Sequence, residues 1–366
     1  MALDWKDLSR TDKIELMMVS PQSMDQTYGT LQNAIMSECY ISSLYYSDTR
    51  TSGSISVLGV DQYVPNSLIR IIHHIPEWGY TNELGTYLVR ESPYTRKRGA
   101  WKTKLALESR LEGLALNKAK SPWTVAKGAE VVTAMQQMLT ECRMEYSTIG
   151  ARGLTASEPF VYETGSSYLS RLYDLCNVSK NRLDIDSHGT VVVSAYTEPK
   201  YKPPKFRLDL ADIHGLVKDD ISLTSSYMST PNRAIVSYRY TEKVNDESVE
   251  REITAFTDST GSNAFGARGY IVSDYYEISE LEPPTYATAL QISQMRLADQ
   301  QKDKVEWEIT CPYFPVWEGD IIELVVHDGP ASYQGNRHCL VKSQKISFKN
   351  MSMDLVLKET ASGDEE

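Results

Sequence analysis

Three features predict a mixed β and α+β fold. First, short runs of β-branched and aromatic residues recur through much of the chain, separated by Gly, Pro, Asn and Asp. Second, two stretches place apolar residues at helical spacing, near 131–142 and 168–176. Third, the second of these is followed by two strand-like runs about an Asp/Gly turn, which makes a small α/β layer.

Taken in order, residues 1–30 are polar and mixed, with an amphipathic helix expected around Lys13 to Val19. From Ala34 the character turns to β. Strands are expected over Glu38 to Tyr46, Ser54 to Val60, Ile69 to Ile75, Gly85 to Glu91 and Trp101 to Leu107, at the spacing of a small barrel or sandwich. Ser121-Pro122-Trp123-Thr124 marks a boundary, with Ser121 or Thr124 as helix cap and Pro122 at a first helical position. Val125 to Met144 then reads as a helix, and Phe160-Val161-Tyr162 as a short strand.

The stretch from Gly165 to Pro199 is the most informative. Tyr168, Leu169, Leu172, Tyr173 and Cys176 form one apolar helical stripe, and Ser166 or Ser167 can cap its first turn. Leu183 and Ile185 alternate with Asp184 and Asp186, Gly189 closes a turn, and Val191 to Tyr196 returns as a second strand. Lys200 to Lys205 is a basic, Pro-rich linker. Beyond it, Arg233 to Thr241 is a strand, Glu242 to Glu252 a charged segment, and Asp258 to Gly269 a Ser/Gly/Asn-rich loop. Ile271 to Ile278 reads as a strand and Thr285 to Gln301 as a helix. Strands follow at Lys304 to Thr310, Asp320 to His327, Cys339 to Ser343 and Lys345 to Leu357, before an acidic tail from Ala361 to Glu366 that reads as disordered.

Composition excludes several function classes. No run approaches the apolar length of a membrane-spanning helix, and Met1 to Asp7 lacks the basic and apolar regions of a secretory signal. Five scattered cysteines without a CxxC argue for reduced thiols in a cytoplasm, not a disulfide scaffold or zinc site. A net charge of −11 argues against sequence-independent DNA binding, which needs a cationic face.

No residue set specifies catalysis, a metal or a cofactor. His73 and His74 are neighbours within a strand and therefore point to opposite faces, so they do not share one metal. Cys176 lies on the apolar stripe of its helix, where a thiol packs as a small hydrophobe. There is no GxSxG elbow and no Ser-x-x-Lys. Gly261 to Gly269 is Gly-rich without the strand–turn–helix context or the lysine of a phosphate loop, and reads as a plain loop. Tyr94-Thr95-Arg96-Lys97-Arg98 is one compact basic patch. It has the composition to touch nucleic acid or an acidic protein, and reads first as a solvated hairpin tip. The 23 tyrosines against six phenylalanines suit a protein built for assembly, because tyrosine tolerates a surface that is half buried and half wet.

The Gly165–Pro199 cassette, followed by Pro203-Pro204, resembles the small α/β domain of phage tail hub proteins (the tail-tip and baseplate-hub family). Pro312-Tyr313-Phe314-Pro315-Val316-Trp317-Glu318-Gly319-Asp320, leading into Ile321 to Leu324, resembles that family's entry into its second barrel. The resemblance implies two small β-barrel domains with an α/β domain between them and an α/β insertion in the second barrel. The corresponding segments are 1–117, 118–205, 206–242 with 305–360, and 243–304, with 361–366 as the tail. It further implies a homotrimeric virion protein at the tail tip, not an enzyme, adapting a hexameric tube to trimeric tip or fibre components. Its neighbours are then the distal tail protein or tail tube, the tape measure protein and the tip or fibre proteins, and phage DNA passes through its channel without specific binding. The chain ends soon after the second barrel, so no cell-wall-degrading extension is expected. A cell-wall hydrolase and a receptor-binding tail-tip module are the rival classes.

Overall fold

The computed structural model describes the chain except residues 1–4, 6–9, 60–62, 92, 98, 157–158, 212–220, 226–229, 245–246, 261–263, 278–284, 303–304, 329–333 and 361–366. The expected acidic tail and part of the Gly-rich loop lie outside the described residues. The fold is mostly β with few helices.

Its centre is one 14-stranded sheet. Along the main pairing path come Ser222–Ser225, Val305–Pro312, Ser352–Glu359, Gly335–Ser347, Tyr40–Leu44, Thr51–Leu58, Ala100–Ser109, Tyr80–Glu91, Leu68–Ile75, Lys13–Val19 and Thr27–Thr30. Phe206–Asp209, Ile321–Val326 and Tyr94–Lys97 attach beside it. The expectation of two separate small barrels is met only in its β content. Strands from the first third and from the C-terminal third join through Tyr40–Leu44 and Gly335–Ser347, in register from Ser343↔Leu44 to Ser347↔Tyr40. Among the described residues the pairing path does not close on itself. One hydrophobic core serves both halves, uniting Ile41, Ile55 and Leu105 with Trp307, Tyr313 and Phe314.

Lys13–Val19 is a strand, not the expected helix. Seven residues carry too little periodicity to decide, and the decision comes from a partner: every residue pairs with Leu68–Ile75, burying Leu16 and Met18 on one side. The C-terminal strands also divide differently. Gly335–Ser347 runs unbroken through a bulge between Val341 and Ser343, and the turn falls at Asn350-Met351, with Met351 at φ 44°. Gln344, which reads as a break between strands, is instead buried.

Residues 111–195 carry a second core, made by helices Leu111–Leu116, Val131–Glu141 and Tyr168–Ser179 against a three-stranded sheet. In that sheet Val191–Ala195 is central, parallel to Tyr146–Ile149 and antiparallel to Asn181–Ile185. The Tyr168–Ser179 helix starts as expected, Ser167 Oγ accepting from the Ser170 amide at 3.1 Å. Leu172, Leu175 and Cys176 point into the core. The helix expected from Val125 begins only at Val131. Trp123–Val125 is a strand paired with Phe160–Tyr162, and Glu130 occupies the cap position, so neither Ser121 nor Thr124 caps a helix. The basic Pro-rich linker contains one short helical turn, Pro199–Tyr201.

Residues 233–302 form a third layer. The described residues of the charged segment 242–252 are strand: Arg233–Val244 pairs with Glu247–Asp258 along its length. Ser273–Glu277 adds in parallel, and helix Tyr286–Lys302 covers one face, burying Val236, Ala255 and Ala289. Opposite charges placed across this hairpin, Arg233 with Asp258 and Arg239 with Glu252, let a polar sequence stay extended.

Candidate functional site

The two stretches that carry the family resemblance meet in space. A cleft of about 530 Å³ lies where strand Asn181–Ile185 and its turn, the Trp317–Asp320 turn, and strands Thr51–Leu58 and Tyr80–Glu91 converge. Its floor is ionic. Asp184 accepts from Arg50 and, at 3.0 Å, from Arg182 Nη2, so one carboxylate ties the α/β unit to the first β strands. Arg182 stacks on the Tyr45 ring, 4.9 Å from its centroid. Lys202 Nζ donates to the Gly319 carbonyl at 2.9 Å, and Lys205 Nζ to Asp320 Oδ2 at 2.8 Å. Asp320 Oδ2 also accepts from the Trp317 amide at 2.8 Å, closing the turn. Gly319 is required here: its φ is 84°, and a Cβ would meet Arg182 Nη1 and Tyr45 Cε2 at 2.7 Å.

Glu318 is the exceptional group. Its Oε2 is buried without a hydrogen-bond partner. Burial pushes its carboxyl above the ordinary glutamate range; Asp184 adds to that shift, while Ser43 and Arg50 oppose it. Burial is also the main cause of the lowered Lys202, with the charge of Arg182 next.

The hairpin tip Asp186–Gly189 docks on the first β strands. Arg110 Nη1 donates to the Gly189 carbonyl at 2.6 Å, and Thr86 Oγ1 to the Ser187 carbonyl at 3.0 Å. Arg70 Nη2 lies 3.2 Å from His188 Nε2, and His188 Nδ1 lies 3.3 Å from Glu83 Oε2. Arg70 and Arg110 are both buried, so these bonds replace lost hydration and fix the tip in place. Gly189, at φ 98°, is packed on Met24, Arg110 and Thr86, where a side chain does not fit.

The residues weighed as chemical candidates fall elsewhere. His73 is fully buried against Asp12, 2.7 Å away, while His74 faces Glu15 and Thr81 on the other side of the strand. Cys176 is buried, its thiol pushed up to about 12 by desolvation, which leaves no thiolate for nucleophilic attack at neutral pH. Tyr94–Lys97 is one arm of a hairpin with Ala100–Ser109, and Arg96 lies over the Trp101 ring at 6.0 Å. The described part of the Gly-rich loop contains a short helix, Phe265–Arg268. Among the described residues no group of three or more His, Cys, Asp or Glu side chains is placed to hold a metal ion. No described helix is long and apolar enough to cross a membrane. Sequence reading found the turns that build the cleft but not its buried charges: Arg50, Arg182 and Glu318 come from three distant segments and carry no local pattern.

No family model matches the sequence, and no curated protein does. Solved structures do. A tail protein from Neisseria meningitidis superposes with a TM-score of 0.67 at 12% identity, covering 94% of this chain and 96% of that one. The 43 kDa tail protein of prophage MuSo2 from Shewanella oneidensis gives 0.64 at 10% identity, covering 95% and 98%. Prophage tail protein gp18 from Listeria monocytogenes gives 0.53 at 10%, covering 94% of each. The chain therefore has the fold of phage and prophage tail proteins, as the two sequence stretches suggested.

Proposed function

We propose that the chain is a non-enzymatic structural protein of a phage tail, acting as a homotrimeric hub at the tail's distal end. The single observation that carries this reading is the fold match to tail proteins over nearly the full length of both partners. Two further features support it. The sheet sets two β halves side by side within one chain, so three copies would place six β units around an axis, which suits a junction between a hexameric tube and trimeric tip or fibre components. The cleft is built as a joint: its arginines are spent on neighbouring carboxylates and rings, not aimed at a substrate.

In this reading the subunit divides into β units at 1–117 and 206–242 with 305–360, an α/β unit at 118–205, an insertion at 243–304 and a tail at 361–366. Its neighbours are the distal tail protein or tail tube, the tape measure protein and the tip or fibre proteins. Phage DNA passes along the axis unbound, as the acidic net charge favours. Light scattering of the purified chain, with negative-stain imaging, tests the proposal. A trimer with a central hole is expected, alone or with tube protein. A monomer at every concentration, with and without tube protein, overturns it.

A further inference from the structure

The central sheet contains one five-strand unit twice. In the N-terminal half the pairing order is Tyr40–Leu44, Thr51–Leu58, Ala100–Ser109, Tyr80–Glu91, Leu68–Ile75. In the C-terminal half it is Ser222–Ser225, Val305–Pro312, Ser352–Glu359, Gly335–Ser347, Ile321–Val326. Both units take their strands in the chain order first, second, fifth, fourth, third, and every pairing within them is antiparallel. The registers also correspond. The bulge between Val89 and Glu91, opposite Leu107 and Ala106, matches the bulge between Val341 and Ser343, opposite Leu357 and Val356. Counting from that anchor, Ile41 corresponds to Leu223, through Gly53 in one half and Trp307 in the other. Tyr94, opposite Thr103, corresponds to Ile346, opposite Met353.

One junction between units is filled and its counterpart is open. Gly335–Ser347 runs past its bulge to pair with Tyr40–Leu44, which sets Ile346 opposite Ile41 and buries both. The matching junction joins Tyr94–Lys97 to Ser222–Ser225. Among the described residues Tyr94–Lys97 pairs only with Ala100–Ser109, and Ser222–Ser225 only with Val305–Pro312, so each strand keeps one open edge. Tyr94 is 47% exposed where Ile346 is fully buried. The Pro93 carbonyl accepts from the Lys104 amide at 3.2 Å, so Pro93 turns its backbone inward and Tyr94 turns its own outward. The one residue unable to donate thus falls where the open edge needs no donor. A groove of about 450 Å³ runs along this edge, lined by Asn66, Leu88, Arg90 and Tyr94. Asn66 and Arg90 correspond to Gly319 and Lys342, and Asn66 has the left-handed backbone of Gly319, φ 65° and 84°. In the filled junction Tyr45 sits at that place: its amide donates to the Lys342 carbonyl at 2.8 Å and its ring lies against Gly319. The sequence places Tyr227 two residues after Ser225, as Tyr45 stands two after Ser43.

We propose that the Tyr94 edge of one copy pairs antiparallel with the Ser222–Ser225 edge of a second copy, Tyr94 opposite Leu223 and Thr95 opposite Ser222. The occupant is a second copy because the chain itself carries the strand that fits, with the register of its own filled junction as template. Two different edges meet, so the contact is heterologous and repeats around an axis until it closes. Closure at three copies rests on the hub reading, whereas the pairing rests on the repeat within the sheet.

The test is disulfide trapping in the full chain carrying Thr95→Cys with Ser222→Cys, both exposed positions. Their template, Ser347 opposite Tyr40, is a non-hydrogen-bonded pair, since the Phe348 amide donates to the Cys39 carbonyl one residue on. Such pairs hold their Cα atoms about 4.5 Å apart, within the roughly 4.4–6.8 Å that a disulfide spans. Mild oxidation should give covalent dimers and trimers on a denaturing gel, and reduction should return them to monomer. The wild type, each single variant, and Thr148→Cys with Ser222→Cys should give at least tenfold less. Light scattering of the unoxidised protein separates this pairing from the hub reading. A trimeric mass without the cross-link overturns the pairing and leaves the hub reading standing. Cross-linked open chains longer than three copies uphold the pairing and overturn the trimeric hub. A monomer without cross-link, with tube protein present, overturns both.

Discussion

Gly319→Ala tests whether the cleft is a tightly packed joint. Gly319 and Gly165 share nearly the same backbone, φ 84° and 86°, but differ in surroundings. A Cβ at Gly319 meets Arg182 Nη1 and the Tyr45 ring inside van der Waals contact, whereas at Gly165 it meets nothing within 4 Å. Both substitutions carry the left-handed strain of a Cβ residue, roughly 1–2 kcal/mol. Only Gly319→Ala must also push Tyr45 and Arg182 out of place, an overpacking cost of about 1–3 kcal/mol. The two variants should therefore differ by that second amount, a Tm separation of several degrees for a cooperative unit of roughly 150–250 residues. Scanning calorimetry with urea unfolding measures it. Equal destabilisation by the two alanines refutes the packed-joint argument, because strain alone then accounts for both.

Other outcomes follow from the same geometry. Leu172→Asp places a charge on a fully buried helix face and should cost several kcal/mol in thermal unfolding, enough to abolish the 111–195 core. Cys176→Ala should leave assembly intact, and the native thiol should resist iodoacetamide near pH 8 until the chain is unfolded, as its raised ionisation requires. Replacing Arg96 and Lys97 by Ser should not alter DNA retention on a filter at physiological salt; micromolar duplex binding that vanishes in this variant contradicts an unbound passage of DNA.

What the sequence revealed, and what it hid, follows from how local each determinant is. The Tyr168–Ser179 helix, its Ser167 cap, the Gly189 turn and the returning strand are set by residues within a few positions of one another, so spacing alone located them. The Gly319-Asp320 step was singled out by its resemblance to the tail-hub family's second-barrel entry, and the fold closes it locally through Trp317 and Asp320. Lys13–Val19 was misread because its strand character comes from Leu68–Ile75, some 50 residues away. The strands that run into the charged segment 242–252 were missed because that segment has no apolar alternation, and its pairing appears only in the register of Arg233–Val244 with Glu247–Asp258. The joining of two β halves through Tyr40–Leu44 and Gly335–Ser347 spans nearly the whole chain. The cleft is the extreme case: Asp184 was visible as one half of an alternation, but its partner Arg50 is named only by the fold.

Glu318 gives the cleft a pH dependence whose sign can be worked out. Its carboxyl is raised in the folded chain, chiefly by burial, above its value when unfolded. Between those two values the folded state holds a proton that the unfolded state has released. Stability from this group is therefore full below the unfolded value and is lost as pH rises through the folded one. Above the folded value the fold carries a buried carboxylate whose Oε2 accepts no hydrogen bond. Glu318→Gln keeps the shape and removes the charge. It should gain on wild type as pH rises through the folded value, and the advantage should shrink as pH falls towards the ordinary glutamate range, where wild type is neutral. Unfolding midpoints at pH 7 and near pH 4.5 measure the difference. A Gln variant that loses ground to wild type as pH rises reverses the argument: Arg50 and Arg182 then outweigh desolvation, and Glu318 holds the joint as an ion.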